Sequence, residues 1–225
     1  MTERRPGRRE ERTAETRAAI LRVAEELFSE QGWQGTRMTE VAARSGVAIA
    51  TLYNHFGSKH ALIAHLFVPR IADAVAAVEE RIAAGATPHE VVRVAVGEMV
   101  LMLRVRRTLT FALFAALQED AIRNDGPPRG PDDTRVIAQI PRILDTALRY
   151  AADVLGLDLD VDRTARYHTN ALLLQVLTRP DSTAGDVRDF VLRQLAGVLP
   201  PAPRGQLRRA AGPWSPGPVA RRSPP

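Results

Sequence analysis

Residues 39–56 read TEVAARSGVAIATLYNHF, and this stretch decides the fold of the amino-terminal part of the chain. It predicts two short helices joined by a tight turn at Gly46, since glycine adopts the left-handed backbone conformation at no steric cost. Val41 and Ala42 face inward from the first helix, and the hydrophobic Val47 follows the turn directly. This spacing is typical of a helix-turn-helix motif, whose second helix enters the major groove of DNA.

Helical spacing of apolar residues continues along most of the remaining chain, and strand signals are almost absent. The first helix is expected from about Thr13 to Gln31, and a long helix is expected from Ser58 through Pro69 to Gly85. The later helices are expected at about residues 87–120, with a break near 104–108, and at 134–155, 160–178 and 183–199. The sequence therefore predicts an all-α protein.

The composition excludes several classes of protein. The chain has 225 residues and no cysteine, so it has neither disulfides nor a Cys-based zinc or nucleophile site. No apolar run approaches the roughly 18 residues that a membrane span needs. The first twelve residues are charged and lack the apolar segment of a signal peptide, so the expected location is the cytoplasm.

The net charge of +5 is weak evidence for a polyanionic partner, because it is concentrated in the tail. Residues 1–66 carry ten basic and eight acidic side chains, whereas residues 200–225 carry five basic and no acidic ones. The tail also contains eight of the sixteen prolines. Such a composition cannot build a core, so residues 200–225 are expected to be a disordered basic tail, either simply solvated or attracted to phosphates.

A longer pattern surrounds the helix-turn-helix motif. It consists of Gly32-Trp33, Thr36, residues 52–56 with the sequence LYNHF, and Ser58-Lys59. The pattern resembles the DNA-binding domain of the tetracycline-repressor (TetR) family, and the resemblance covers about residues 13–66. The only lysine of the chain, Lys59, falls on the lysine of the family pattern.

Two positions depart from that family. The family often has Ser at position 48 and a small flexible residue at position 50, whereas both are Ala here. Ala48 can neither cap the second helix of the motif nor donate to a phosphate, so a weaker contact is expected at that helix end.

The geometry of the motif gives the candidate DNA contacts. Hydroxyl, amide and cationic groups around the second helix suit the phosphate backbone and would fix the register without reading sequence. These phosphate candidates are Arg37, Thr39, Arg44, Tyr53, His55 and Lys59. Side chains on the second helix suit base edges, since apolar groups fit thymine methyls and an amide can bond adenine with two hydrogen bonds. These base candidates are Ile49, Ala50, Thr51 and Asn54. For Asn54, Arg37 and Arg44 an ordinary solvated surface position remains the alternative.

The resemblance implies a ligand-responsive transcriptional regulator, most readily a repressor, that binds a palindromic operator as a homodimer. A dimer is expected because one recognition helix reads only half of such a site. The expected division is a flexible arm at 1–12, a DNA-binding domain at 13–57, a connecting helix at 58–84, a ligand-binding and dimerisation domain at 85–199, and the tail at 200–225.

Family resemblance also places the dimer interface on the last two helices and the effector pocket among the middle ones. The expected interface residues are Leu173, Val176, Leu177, Val187, Phe190, Val191, Leu195 and Val198. The expected pocket residues are Met99, Met102, Leu103, Phe111, Phe114, Ile137, Ile140, Leu144 and Tyr167, which suit a small, mostly apolar effector. For both sets the alternative is the internal core of one chain.

Three rival interpretations have weaker support. His55, His60 and His65 are spaced by five residues, which does not place them on one helical face, so no metal site is expected. No catalytic motif and no cofactor-binding loop is present, so neither an enzymatic activity nor a cofactor is expected. The third alternative is a helix-turn-helix fold that serves only as a protein-interaction scaffold.

Overall fold

The computed structural model describes residues 7–123, 139–179 and 181–200 of the chain. These residues form nine α-helices and no β-strand, which confirms the predicted all-α class. The helices are α1 (Arg8–Gly35), α2 (Met38–Arg44), α3 (Ile49–Phe56), α4 (Lys59–Ala83), α5 (Pro88–Arg104), α6 (Arg107–Arg123), α7 (Arg142–Leu155), α8 (Val161–Thr178) and α9 (Ala184–Leu195).

Helix α1 begins five residues earlier than the sequence predicted. Gly7 precedes the helix, and its backbone N–H donates to the carboxylate of Glu10, which satisfies a donor at the helix start. Thr13, where the helix was expected to begin, lies inside it, and its hydroxyl donates to the Arg9 carbonyl. The expected flexible arm 1–12 is therefore wrong for residues 8–12. The helix is interrupted at Gly32, where φ is 68°.

The long helix α4 agrees with the prediction at both ends. The Ser58 hydroxyl accepts a hydrogen bond from the Ala61 N–H, and Gly85 follows the helix with φ 73°. The helix passes through Pro69 without ending, as its apolar pattern predicted. By length and by a mean hydropathy of 1.7 in its best window, α4 could cross a membrane, contrary to the sequence-based expectation. Eight of its residues are nevertheless buried against other helices, as in the core helix of a soluble protein.

The carboxyl-terminal helices have well-defined starts. Thr87 and Glu90 form a capping box at α5, and Thr183 and Asp186 form another at α9. Helix α7 begins only after Pro141, whereas the sequence predicted a helix from residue 134 with this proline inside it. The predicted loop 124–133, Ile137 and the tail 201–225 lie outside the described residues.

One continuous apolar core joins the helices. It runs from α1, α2 and α3 through the middle of α4 into α5, α7, α8 and α9. Helix α6 packs along α1 and also touches α4 and α5, so it lies between the helix-turn-helix and the rest of the bundle. This position of α6 brings distant parts of the chain together at the site described next.

Candidate nucleic-acid interface

Helices α2 and α3 form the helix-turn-helix that the sequence predicted. Gly46 adopts φ 71°, and the Val47 N–H donates to the Ala42 carbonyl at 3.0 Å, which closes the turn. The inward-facing side chains of α2 and α3 are buried, with Val41 and Leu52 fully so. The start of α3 has no side-chain cap, as expected from alanine at position 48.

The outer face of α3 is open to solvent. Ile49, Ala50, Tyr53 and Asn54 are exposed and lie on one side of the helix, and Thr51 beside them is half-buried. Tyr53 exposes 47% of its surface. A small helix with a packed inner face and an exposed outer face of apolar, hydroxyl and amide groups has the shape and chemistry that the major groove accepts.

Arg17 of α1 fixes the carboxyl-terminal end of α3. Its guanidinium donates to the His55 carbonyl at 3.3 Å and lies 3.0 Å from Nδ1 of His65, and it stacks 4.6 Å from the centre of the Phe56 ring. The last carbonyls of a helix lack partners within the helix, so a cation is favourable there. Burial, assisted by the Arg17 charge, lowers the pKa of His65, which keeps the imidazole neutral as an acceptor for Arg17.

Lys59 is held by Trp33 rather than extended into solvent. Its ammonium donates to the Trp33 carbonyl and lies 4.2 Å from the centre of that indole ring. Burial lowers the pKa of Lys59, while the charge of Glu119 opposes that shift. An ammonium has three donors, so this contact leaves donors for a phosphate.

The candidate phosphate contacts around α2 differ from one another in whether they already have a partner in the protein. Arg37 and Thr39 are exposed at the start of α2. Arg44 instead forms ion pairs with two carboxylates of α1, at 3.3 Å to Glu26 and 3.5 Å to Glu30. A phosphate contact by Arg44 would compete with these pairs, although exposed ion pairs of this kind contribute little to stability.

Two polar contacts join α6 to the amino-terminal helices. Trp33 Nε1 donates to the Glu119 carboxylate at 2.6 Å. Directly before the start of α6, Arg106 pairs with Glu25 of α1 at 2.7 Å, and Glu25 also pairs with Arg70 of α4. The sequence reasoning missed both contacts. The Gly32-Trp33 pair was visible, but nothing in the local sequence indicates a partner 86 residues away.

A half-open cavity of about 390 Å³ lies between α6, the start of α7, and α8. Its walls are mostly apolar. The lining residues are Phe114, Leu117, Ile140, Pro141, Arg166, Thr169, Asn170, Leu173 and Leu174. Of the expected pocket residues that the structure describes, only Phe114 and Ile140 line it.

The other expected pocket residues lie elsewhere. Met99, Leu103 and Leu144 are fully packed in the core, and Met102 is half-buried. Phe111 and Tyr167 are exposed on the surface. Helical spacing alone could not separate these environments, because core and pocket side chains repeat with the same period.

Most residues expected at the dimer interface belong to the core of a single chain. Leu173, Val176, Leu177, Val187, Val191 and Leu195 are each at most 8% exposed, while Phe190 and Val198 are half-buried. Their apolar stripe is satisfied by packing within the chain. The apolar residues that α8 does expose are Tyr167, at 66%, and Leu174, at 54%, seven residues apart and therefore on one face.

The clustered histidines have separate surroundings. His65 contacts Arg17, and the His60 ring lies 4.7 Å from that of Trp33. In the described parts of the chain, no group of three or more metal-ligating side chains occurs.

The fold and the exposed face of α3 define a helix-turn-helix transcriptional regulator. Residues 20–66 match the family model of bacterial regulatory proteins, tetR family. The amino-terminal domain is therefore that of the TetR family of transcriptional regulators, which confirms the resemblance seen in the sequence.

The relatives match either most of the chain or the DNA-binding part alone. The uncharacterized HTH-type transcriptional regulator YezE of Bacillus subtilis is 26% identical over 184 residues, which are 77% of this chain and 91% of YezE. The HTH-type transcriptional regulator UidR of Escherichia coli is 44% identical over 48 residues, which are 21% of this chain and 24% of UidR. Both relatives are named as transcriptional regulators.

Solved structures share the fold over most of the chain. The repressor FadR of Thermus thermophilus, solved in complex with lauroyl-CoA, superposes with a TM-score of 0.62 at 21% identity and covers 89% of this chain and 100% of FadR. A second structure, solved for the control of antibiotic production by bacterial hormones, has a TM-score of 0.55 at 26% identity and covers 82% of this chain and 96% of that one.

Proposed function

We propose that this regulator is a repressor that binds a palindromic operator as a homodimer and is released by a small, mostly apolar effector. The observation that carries the DNA-binding part is the exposed outer face of α3, fixed at its end by Arg17. A fixed helix with exposed side chains recognises base edges without first losing conformational entropy.

Contacts to DNA divide into two kinds. Ile49, Ala50, Thr51 and Asn54 would face base edges, with the two apolar side chains against thymine methyls and Asn54 on adenine. Hydroxyl and cationic groups around them would contact phosphates and set the register. These phosphate contacts are assigned to Arg37, Thr39, Arg44, Tyr53, His55 and Lys59.

A second copy would pack on the exposed face of α8. Tyr167 and Leu174 are the large apolar side chains on this helix that one chain leaves uncovered. Two symmetric copies of the same apolar patch form a self-complementary interface, as in most homodimers. Such a dimer presents two copies of α3, which suits an operator with two half-sites.

The effector would occupy the cavity between α6, α7 and α8. Its volume of about 390 Å³ lies at the small end of the roughly 300–1,000 Å³ range of small-molecule pockets. Binding there would act through α6, which lines the cavity with Phe114 and Leu117 and reaches Trp33 through Glu119. The proposed cellular location is the cytoplasm, where the operator lies.

The test is selection of bound DNA from a random pool with the full chain. A selected palindrome that is retarded in a gel-shift assay, and is released more readily at high salt, is the expected result. Asn54→Ala should alter the selected motif, whereas Asn170→Ala, a matched change on α8, should not. Enrichment of no sequence over the starting pool would contradict the proposal and favour an interaction scaffold.

A further inference from the structure

The indole of Trp33 lies where the amino-terminal helices meet α6. Trp33 is 3% exposed, and each side of its ring has a different neighbour. The indole N–H donates to the Glu119 carboxylate of α6 at 2.6 Å, and the ring stacks on Phe28 with 5.8 Å between the ring centres. The ammonium of Lys59, the first residue of α4, lies 4.2 Å from the centre of the indole ring. One buried side chain therefore contacts both α6 and the start of α4.

Trp33 holds Lys59 with its backbone as well as with its ring. Helix α1 ends at Gly35, so the Trp33 carbonyl is one of the last carbonyls of the helix, which lack a partner within it. The Lys59 ammonium donates to this carbonyl. The carbonyl and the ring face together fix the direction of the lysine side chain and leave further ammonium donors free. Lys59 therefore loses less side-chain entropy on binding a phosphate than an unrestrained lysine would.

The place of Lys59 in the fold suits a phosphate contact. It begins α4 directly after the helix-turn-helix, and the unpaired N–H groups at the start of a helix favour an anion. A hydrogen bond to a phosphate oxygen weakens steeply once the two atoms are more than about 3.2 Å apart. The contact therefore depends on where the ammonium is held.

Glu119 fixes the indole that holds Lys59. Because Trp33 is buried, its N–H has no ready access to water, and a buried donor without an acceptor is unfavourable. Without the carboxylate the ring would gain by turning toward solvent, and Lys59 would lose the ring face on which it lies. Burial lowers the pKa of Lys59 and the charge of Glu119 opposes this shift, so the carboxylate also favours the charged form of the lysine.

We propose that Glu119 is a positioning residue for DNA binding, which holds the Lys59 ammonium at its phosphate through the indole of Trp33. Glu119 itself contacts no DNA in this arrangement, since a carboxylate and a phosphate repel each other. A determinant of DNA affinity thus lies on α6, outside the helix-turn-helix. This inference rests on the proposed function, because it assigns a support to one phosphate contact of the proposed interface.

Two neutral substitutions of Glu119 test the proposal. Glu119→Gln keeps an oxygen that accepts the indole N–H, whereas Glu119→Met has a similar length and only a weak acceptor. Both remove the same charge, so a difference between them reports the acceptor. Glu119→Met should bind DNA about fivefold more weakly than Glu119→Gln, with a slope of log affinity against log salt that is smaller by about 0.9, the value of one phosphate contact. Gln118→Met, at an exposed position of α6, is the control and should bind as the parent does.

Fluorescence anisotropy of the full-length protein at several salt concentrations supplies these values. The probes are two duplexes of equal length, one with the selected operator and one of unrelated sequence. A phosphate contact carries no sequence information, so the difference between the two variants should appear with both duplexes. Partial unfolding would lower the active fraction of protein but would leave the salt slope unchanged. In a Lys59→Ala background, Glu119→Gln and Glu119→Met should bind equally, because the side chain that Glu119 positions is absent.

The outcomes separate this inference from the proposed function. Equal affinities and salt slopes of Glu119→Gln and Glu119→Met would overturn the positioning role, as would a difference that persists in the Lys59→Ala background. If the parent still selects an operator in that case, the proposed function stands. Protein that shows the difference with the unrelated duplex but enriches no operator would overturn the proposed function and leave the role of Glu119 standing. Protein that binds neither duplex would contradict both.

Discussion

At the scale of single residues, Arg17 determines how firmly α3 is held. Arg17→Gln removes the cation that bonds the His55 carbonyl and stacks on Phe56. Operator affinity should fall by about tenfold, because a charge-assisted bond is lost and α3 must be ordered on binding. Fluorescence anisotropy on the selected operator measures this. Arg22→Gln, which removes an exposed α1 ion pair with Glu26, is the control. Equal affinity of the two variants would show that Arg17 does not position α3.

Asn54 is the residue whose loss should change specificity. It is exposed on the outer face of α3. Asn54→Ala should relax the preference at one base position in each half-site by about 1–3 kcal/mol, the usual value of a contact made by two hydrogen bonds. Binding of the mutant to operators substituted at each position measures the effect. An unchanged selected motif would show that Asn54 is an ordinary solvated residue that contacts no base.

His65 should make stability depend on pH. Burial and the charge of Arg17 lower its pKa in the folded state below the ordinary value of 6.5. The contribution is therefore fully present above pH 6.5 and is lost as the pH falls through the lower folded value. The melting temperature of the parent should decrease between pH 7.5 and 5.5 more than that of His65→Gln. Parallel pH profiles would show that His65 does not titrate in this range.

At the scale of elements, the contact between α6 and α1 should be measurable as a coupling energy. Trp33→Phe keeps an aromatic ring against Phe28 but removes the N–H that donates to Glu119. A double-mutant cycle with Glu119→Gln should give a coupling of about 1–2 kcal/mol in the free energy of unfolding. Urea denaturation of the parent, the two single variants and the double variant measures this coupling energy. Additive effects would mean that this bond does not hold the two helices together.

Local sequence predicted the elements but not which of them meet. The starts of α5 and α9 were predicted to within one residue, because the capping box at each start lies within four residues of sequence. The start of α1 was missed because the residue before the helix is a glycine whose N–H is bonded by Glu10, and not the polar residue near Thr13 where the helix was expected to begin. The Trp33–Glu119 bond could not be predicted, since it depends on how α6 packs.

At the scale of the whole molecule, α6 connects the two proposed activities. Phe114 and Leu117 face the cavity, whereas Glu119, two residues further along, bonds Trp33 beside Lys59. A ligand that binds more tightly to one position of α6 than to another would therefore also move Glu119, through which α6 contacts Trp33 beside the helix-turn-helix. To change the ratio of the two conformations from 1:99 to 99:1, the ligand's binding free energies for them must differ by about 5.5 kcal/mol.

The oligomeric state of variants distinguishes two candidate dimer surfaces. One is the exposed face of α8, and the other is the set of apolar residues on the last two helices that the sequence predicted. Leu195 is 1% exposed within one chain, so Leu195→Asp should unfold the protein rather than separate a dimer. Leu174 is 54% exposed, so Leu174→Glu should leave the helical circular dichroism and the melting of the monomer intact. In a dimer that packs on α8 the same glutamate would be buried without a partner, which costs several kcal/mol. Light scattering at micromolar concentration should then report a monomer, with operator binding strongly weakened.

Val154→Glu provides the matched control for this prediction. Val154 is 53% exposed on α7, so the substitution has the same change of charge and a similar starting exposure. It should remain dimeric and bind the operator as the parent does. Neither substitution removes a core contact, but Leu174 also lines the cavity between α6, α7 and α8, so the oligomeric state rather than operator binding is the deciding measurement. If Leu174→Glu stays dimeric at the same concentration, the second copy packs on another surface, and the pairing of α8 with its symmetry mate is wrong.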